Sequence, residues 1–452
     1  MKKTLTILAF LLMVSLCYSQ NQWTFVSYLP APNPPINSIA IVQPNIVWVC
    51  CDASGGAARV YRSVNGGVNW TLRNGGLPTT DACYGMDAFD SLNAFVGTVN
   101  GSIYKTTNGG ANWNLVLSVA GSFTDGIHMF NSNYGVYYGD PTAQTGQPYQ
   151  LRVTTNGGNN WNLVPGAPIS STEFGVINAW DWTDSSHIWF GSANTTASAT
   201  SAKVYKTTTG FYGTWSNALL PGTGGTAGLY FQAVAFTNNT NGMVGSNGGD
   251  IKKTTDGGVT YTAVTVPAGL GSFAVINMNG LKDGSNTIRV STQGDTSRVF
   301  RTTNLGTTWI REPLPTQAAN GGQVQHMVFI NVNLGYGGIG SSGGIGGFIK
   351  YGPPSGITGN NGTVPAEFKL EQNYPNPFNP STTISFSIPK SGMVTMKVYN
   401  SLGREVETLV NENMAAGTYE VTFDASKLTS GLYFYRVIAN GFADTKKMML
   451  VK

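Results

Sequence analysis

One short phrase recurs along the chain and limits what it can fold into. It reads Ser63-Val64-Asn65-Gly66-Gly67-Val68-Asn69-Trp70, then Thr106-Thr107-Asn108-Gly109-Gly110-Ala111-Asn112-Trp113. It returns at Thr154–Trp161 (Asn156, Gly158), at Thr254–Tyr261 (Asp256, Gly258) and at Thr302–Trp309 (Asn304, Gly306), and in degraded form at Thr207–Trp215. A fixed-period repeat means that each unit is one supersecondary block whose apolar face is buried only by stacking on its neighbours. Each phrase follows an alternating run such as Val60-Tyr61-Arg62, Ile103-Tyr104-Lys105 or Val299-Phe300-Arg301, which reads as a strand. The Asx-Gly-Gly that follows is a turn: the Asx side chain caps backbone N–H groups and glycine accepts positive φ. The tryptophan then opens the next strand and offers apolar surface to clamp the hairpin.

Other strands recur in step. Phe89, Phe130, Trp182, Phe236 and Phe329 each end an apolar run, followed by Gly97, Gly139, Gly191, Gly245 and Gly338. Every unit therefore reads as four strands, and the aromatic that closes the phrase comes back roughly 43–54 residues later, the spacing of four-stranded propeller blades. The seventh unit stops after its third strand, Gly347–Tyr351, while Trp23-Thr24-Phe25-Val26-Ser27 has the pattern of a fourth strand with no phrase before it. The expectation is that these two pair and close a ring of seven blades, which removes the open sheet edges. The phrase Ser/Thr-x-Asp/Asn-Gly-Gly-x-x-Trp resembles the Asp-box, or BNR repeat. Residues 20–352 resemble the Asp-box β-propellers of the sortilin and photosystem II assembly-factor-like group. That resemblance implies that the boxes lie on peripheral turns and are structural: Ser63, Asn65, Gly67 and Trp70; Thr106, Asn108, Gly110 and Trp113; Thr154, Asn156, Gly158 and Trp161; Thr254, Asp256, Gly258 and Tyr261; Thr302, Asn304, Gly306 and Trp309.

The two ends address the chain to a compartment. Residues 1–19 read as a secretory signal: Lys2 and Lys3, an apolar Leu5–Leu16, and Ser19 before the cleavage point. That apolar run is too short to span a bilayer, and no later one is long enough. Residues 353–365, rich in Pro, Gly, Asn and Thr, read as a linker. Residues 366–452 alternate as six or seven short strands, which suggests a small Ig-like β-sandwich. Within them, Asn373-Tyr374-Pro375-Asn376-Pro377-Phe378-Asn379-Pro380 resembles the opening of type A sorting domains of the type IX secretion system, and Val398–Gly403, Ser430-Gly431-Leu432-Tyr433 and Lys446-Lys447-Met448 match that family's later motifs. The resemblance implies passage through the type IX machinery, removal of the tail by a sortase-like peptidase, and a secreted or surface-attached product. Gly431, Tyr433, Lys446, Lys447 and Lys452 are the candidate signal residues.

Composition excludes some functions. Charged residues make up 11 % of the chain and the net charge is +4, with no Lys/Arg-rich run, so nucleic acid is not an expected partner. Beyond Cys17 in the leader, three cysteines remain, Cys50, Cys51 and Cys83, which cannot all pair within one chain and lack zinc spacing. Buried small residues with one disulfide at most is the expectation. No cofactor, metal or catalytic residue is expected. Glycoside hydrolysis needs two placed carboxylates, and residues 20–352 hold two glutamates, Glu173 and Glu312, with Glu312 on an outer strand. The three histidines, His128, His187 and His326, fall in different units. A ligand site at the channel mouth is the remaining prospect, with Asp87, Asp125, His128, Glu173, Trp180, Asp181 and His326 on or just before innermost strands. Arg62, Lys105, Lys206, Lys253, Arg301 and Lys350 share one position on third strands and read as snorkelling charges or a docking face for protein. The reading is a secreted, non-catalytic binding protein for a glycan or a surface protein. An extracellular sialidase-like glycosidase is the rival, and an assembly-factor-like docking propeller the third.

Overall fold

The computed structural model describes residues 21–52, 57–223, 227–266, 273–293, 297–319, 322–341, 346–352, 365, 367–390, 392–414, 417–426, 428–439 and 441–452. The expected signal segment and almost all of the expected linker lie outside them. Apart from a four-residue helix at Thr316–Ala319, every described element is a strand.

Seven antiparallel sheets follow one another along residues 22–352, among the described residues. The first is built from Ile36–Gln43, Ile46–Asp52, Ala58–Ser63 and Thr71–Leu72, and the second from Cys83–Ala88, Ala94–Thr98, Ser102–Thr106 and Asn114–Ser118. The third to sixth repeat this order, with first strands Thr124–Met129, Trp180–Trp182, Leu229–Phe236 and Ala274–Gly280. The fifth gains two short strands, Glu173–Phe174 and Ala193–Asn194, on the flank of Leu229–Phe236. The seventh joins Gly322–Asn331, Leu334–Ser341 and Gly347–Gly352 to a fourth strand from the other end of the chain, Gln22–Tyr28, with Trp23 opposite Tyr351 and Phe25 opposite Ile349. This is the pairing expected from the sequence.

Trp23 is also bolted sideways. Its ring is buried against Phe329 and Tyr351, 5.6 and 5.4 Å away between centroids. Its indole N–H donates to Glu312 Oε2 at 3.0 Å. Glu312, on the outer strand of the sixth sheet, is buried and also accepts from Arg289 Nε at 3.1 Å, with Arg301 Nε 3.1 Å away. Arg289 is itself 1 % exposed and lies between the rings of Phe329 and Tyr351, at 4.0 and 4.3 Å. A buried ion pair contributes little unless its remaining hydrogen-bonding capacity is met. Here the Trp23 indole and Arg289 Nε both donate to the Glu312 carboxylate and Arg289 Nη2 donates to the Val332 carbonyl, so the seam carries polar ties as well as strand pairing.

The five full repeats fold alike. Thr106 Oγ1 accepts the Gly110 N–H at 2.9 Å and donates to Asn108 Oδ1 at 3.0 Å, and Asn108 Oδ1 accepts the Asn112 N–H at 3.0 Å. Ser63, Thr154, Thr254 and Thr302 make the same set. The Asp256 carboxyl is held below the usual range, chiefly by the Thr260 hydroxyl and N–H. Residues 207–215 lack the Asx, and Thr209 Oγ1 accepts the Thr214 N–H instead.

The closing aromatic does more than clamp its own hairpin: Trp70, Tyr261 and Trp309 lie over Gly67, Gly258 and Gly306 of their own turns, and the ring also reaches a neighbour. It packs on the preceding sheet: Trp113 meets Trp48, Trp161 meets Phe95, and Trp70 meets Phe348 of the seventh sheet, all edge to face. The second glycine is therefore constrained twice. Gly158 has φ of 76°, and a Cβ there would lie 2.3 Å from the Phe95 ring. The third-strand charges bridge in the same sense. Arg62 donates to the Ser91 carbonyl, Lys105 to Asn159 Oδ1 and Lys206 to the Gly257 carbonyl, so each reaches a turn of the following sheet.

The tail forms a three-stranded sheet (Lys369–Leu370, Ser381–Ile388, Gly417–Asp424) and a four-stranded one (Glu405–Met414, Gly392–Asn400, Gly431–Ala439, Phe442–Leu450). Alternate residues of their strands, Ile384 and Phe386 on one sheet and Val394, Met396 and Val398 on the other, meet Phe423, Tyr435 and Met448 in a single apolar core.

Candidate functional site

The first strands of all seven sheets contribute to one cavity of about 510 Å³. Its walls come from Ile39, Met86, Ile127, Trp180, Val234, Met278 and Met327, one apolar residue from each of these strands. It reaches the turns that follow these strands, where Thr183, Lys282, Asp283 and Asn331 lie. Toward the strand beginnings, the Asn178 side chain donates to the Asn37 carbonyl at 2.9 Å and so ties the approach to the fourth sheet to the first. Asn178 holds φ of 56°, and its own N–H donates to the Asp125 carbonyl.

Five of the seven residues expected at a channel mouth line this cavity: Asp87, His128, Trp180, Asp181 and His326. Three of them also fasten adjacent sheets. Asp87 Oδ2 accepts the Met129 N–H at 2.7 Å, Asp181 Oδ2 accepts the Phe236 N–H at 2.6 Å, and His326 Nδ1 accepts the Ile39 N–H at 3.0 Å. Asn277 Oδ1 does the same for Met327 at 3.1 Å. In each case an acceptor on one first strand holds an N–H of the next. Because Nδ1 accepts, His326 is the neutral tautomer protonated on Nε2, and burial pulls its pKa down to about 4. Trp180 is packing: its ring lies against Trp182 and Tyr138 and over Gly126.

Asp125 and Glu173 do not reach the cavity. Asp125 is buried beside Asp140, and its Oδ2 lies where a Cβ on Gly175 would be 2.0 Å away. Burial, with the Asp140 charge next, pushes the Asp125 carboxyl well up, and burial raises Asp140 to about 7. Glu173 sits on the extra strand of the fifth sheet and pairs with Lys203 Nζ at 2.8 Å. Burial lifts its pKa, but the hydrogen bonds from Lys203, Thr172 and Ser171 outweigh that and hold it below the usual range. Asp125 does lie on the first strand of the third sheet, as expected, but at the irregularity between Thr124 and Gly126, and its side chain does not enter the cavity. Glu173 falls in the extra segment at 173–179 that precedes the first strand of the fourth sheet.

The cavity rim has a chemistry the sequence reading missed. Trp182 stacks on His128 at 3.9 Å with Phe130 edge-on to the histidine, and His128 Nδ1 is 3.2 Å from Asp87 Oδ2. Lys282 Nζ donates to Asp181 Oδ2 at 2.6 Å and to the Phe236 and Gly280 carbonyls. Trp182 was visible as a strand end, but nothing in the sequence marks Lys282, which sits in a loop without a repeat. Among the described residues, no cluster of three His, Cys, Asp or Glu side chains could hold a metal.

In the tail, Gly431 opens a strand, Tyr433 is buried and donates to the Thr429 carbonyl, and Lys446 and Lys447 lie on the last strand. The opening segment covers part of that strand's edge: Phe378 N–H donates to the Met449 carbonyl, Val451 N–H to the Phe378 carbonyl, and Met449 N–H to Asn376 Oδ1. Lys452 Nζ donates to the Ser426 carbonyl.

Residues 372–452 match the family of secretion system C-terminal sorting domains. The tail is a type IX sorting domain. It implies export through the type IX system to the cell surface or beyond, and no described helix is long and apolar enough to cross a membrane. No curated protein matches the chain. Among solved structures, "YCF48 bound to D1 peptide" is 16 % identical, with a TM-score of 0.53 over 74 % of this chain and 97 % of that one. YCF48 from Cyanidioschyzon merolae is 15 % identical, with a TM-score of 0.53 over 74 % of this chain and 99 % of that one. PorZ, described as an essential bacterial surface component of the type IX secretion system of Porphyromonas gingivalis, is 15 % identical, with a TM-score of 0.50 over 94 % of this chain and 60 % of that one. At these identities the likeness concerns the fold, and it supports a β-propeller for the body of the sorting-domain protein.

Proposed function

We propose that this chain is a type IX cargo whose body is a seven-bladed Asp-box propeller closed by Gln22–Tyr28, followed by an Ig-like sorting sandwich, and that it works outside the cell as a non-catalytic binding protein. A sortase-like peptidase removes the tail after passage. The binding site is the cavity rim around Trp182, His128, Asp181 and Lys282, and its ligand is a glycan or a surface protein. One observation carries the non-catalytic reading. Of the three carboxylates that line the cavity, Asp87 and Asp181 already accept backbone N–H groups and face His128 and Lys282, and Asp283 accepts from the Ser285 N–H and hydroxyl. A glycosidase needs one carboxyl kept protonated and a second poised to attack. The raised carboxyls, Asp125 and Asp140, lie outside the cavity. Trp182 supplies the flat apolar face on which sugars and peptide side chains stack. The fold neighbour solved with a bound peptide adds the protein-docking form of the same reading.

The test is a glycan array and a peptide panel probed with the tail-processed protein, run beside fluorogenic glycosides. Saturable binding that Trp182→Ala removes, without turnover, is the expected result. Turnover lost on Asp87→Asn or Asp181→Asn would replace the reading with a glycosidase.

A further inference from the structure

Cys50 and Cys51 are consecutive on Ile46–Asp52, so their side chains leave opposite faces of the first sheet. Cys51 packs toward the seventh sheet, with Tyr336 and Phe348. Cys50 packs toward the second sheet, in one cluster with Cys83, Met86 and Val96. Cys83 opens the first strand of that second sheet, and its Sγ lies 3.0 Å from the Cys51 carbonyl and 3.2 Å from the Arg59 carbonyl, seated against the strands that flank Cys50. Cys50 and Cys83 thus share one cluster across the two sheets, and both side chains are fully buried. None of the three cysteines is in a disulfide in this structure. The sorting tail sends the chain out of the reducing cytosol, and neighbouring thiols form disulfides in oxidising compartments.

We infer that Cys50 and Cys83 are joined by a disulfide in the exported protein, tying the first sheet to the second, and that Cys51, which packs on the opposite face, takes no part in the bond. The reaction needs a disulfide donor, a protein dithiol oxidase or an oxidised low-molecular-weight thiol. One cysteine thiolate attacks the donor disulfide and releases one donor thiol. The second cysteine, losing its proton, attacks the mixed disulfide and releases the other. The two cysteines lose two protons and two electrons in total, and the donor is reduced to two thiols. The thiolate is the attacking species, and burial pushes the Cys50 thiol well up in the folded protein. With both side chains at 0 % exposure, the folded reduced chain offers a disulfide donor no access and oxidises slowly.

The experiment is a non-reducing peptide mass map of protein recovered outside its native host, alkylated under denaturing conditions. The wild type and Cys51→Ser are mapped, since Cys50 and Cys51 share a peptide. The expected result is a Cys50–Cys83 peptide pair two hydrogens lighter in both, with Cys51 alkylated in the wild type. Reduction then lowers Tm by roughly 5 °C in both and leaves Cys83→Ser unchanged. Three alkylated cysteines in the wild type, or a Cys51–Cys83 link, would overturn the inference, and neither outcome depends on a variant folding.

Discussion

The rim and the channel of the body solve the same problem, holding each sheet to the next, with different chemistry. At the rim the tie is repeated: an aromatic after the turn enters the preceding sheet, and the second glycine lets that sheet approach. In the channel the tie changes from sheet to sheet, an aspartate at 87 and 181, an asparagine at 277 and a histidine at 326, each accepting one backbone N–H. Any side chain with an acceptor at that depth does the work. Only a large flat ring fills the rim gap. The rim is therefore under a residue-specific constraint, while the channel is left free to carry residues for another purpose.

The sharpest break lies at the seam, where neither device operates alone. Glu312→Ala leaves Arg289 buried without its carboxylate and removes the Trp23 acceptor. A loss of about 3–5 kcal/mol is expected in denaturant unfolding. Glu312→Gln keeps an acceptor for Trp23 and should recover part of it. If both variants unfold with the wild type, the seam is held by strand pairing alone.

Next comes the rim. Gly158→Ala places a methyl within the Phe95 ring and strains a positive φ, for a combined cost of about 2–4 kcal/mol. Gly166→Ala is the control, since φ there is 91° but nothing lies within 4 Å of the added Cβ; its cost should stay near ~1 kcal/mol. Equal losses at the two positions would reduce the rim argument to backbone conformation. In the channel, Asp181→Ala orphans the Phe236 N–H and releases Lys282, and about 1–3 kcal/mol is expected. Asp181→Asn keeps an acceptor and should cost less. Trp182→Ala removes binding and also loses the packing on His128, Phe130 and Trp180, so a fall in Tm of several degrees is expected with it.

These differences explain what could be read beforehand. The repeat made the turns, the strand order and the pairing of Trp23 with Tyr351 legible, because residue-specific constraints leave a pattern. The tail was legible for the same reason, through its Asn373–Pro380 and Gly431–Tyr433 motifs. The tryptophan's second partner was not legible, since spacing along one chain does not show which neighbouring sheet a ring enters. Asp87, Asp181 and His326 were found by position and not by chemistry, and their role as fasteners needed the neighbouring backbone. Asp125 missed the cavity at the irregularity between Thr124 and Gly126, and Glu173 in the 173–179 segment, where the unit departs from the repeat. Lys282 and Asn178 left no trace, because each acts from a loop that belongs to one unit only.

A pH series separates the channel fastener at His326 from the buried carboxyls Asp125 and Asp140 at the third sheet. His326 must be neutral to accept from Ile39, and its folded pKa of about 4 lies below the ordinary 6.5. Its contribution is complete above pH 6.5 and is lost as pH falls toward 4, since the unfolded chain takes up the proton first. Asp140 has the opposite sign. With a folded pKa of about 7 against 3.8 unfolded, its contribution is complete below 3.8 and is lost as pH rises toward 7, and Asp125 shifts in the same direction. Each proton changes stability by up to about 1.4 kcal/mol per pH unit within its window. Between pH 4 and 6.5 the histidine slope opposes those of the two carboxyls, so the wild-type Tm should fall as pH rises. Asp140→Asn removes one carboxyl slope, and its Tm should vary less with pH than the wild type's. His326→Gln keeps an acceptor, Oε1, for Ile39 and removes the opposing slope, so its Tm should fall more steeply than the wild type's as pH rises. Two variants that both track the wild type from pH 4 to 7 would show that neither group titrates differently on folding, and the channel acceptor at 326 would then be a contact without electrostatic consequence.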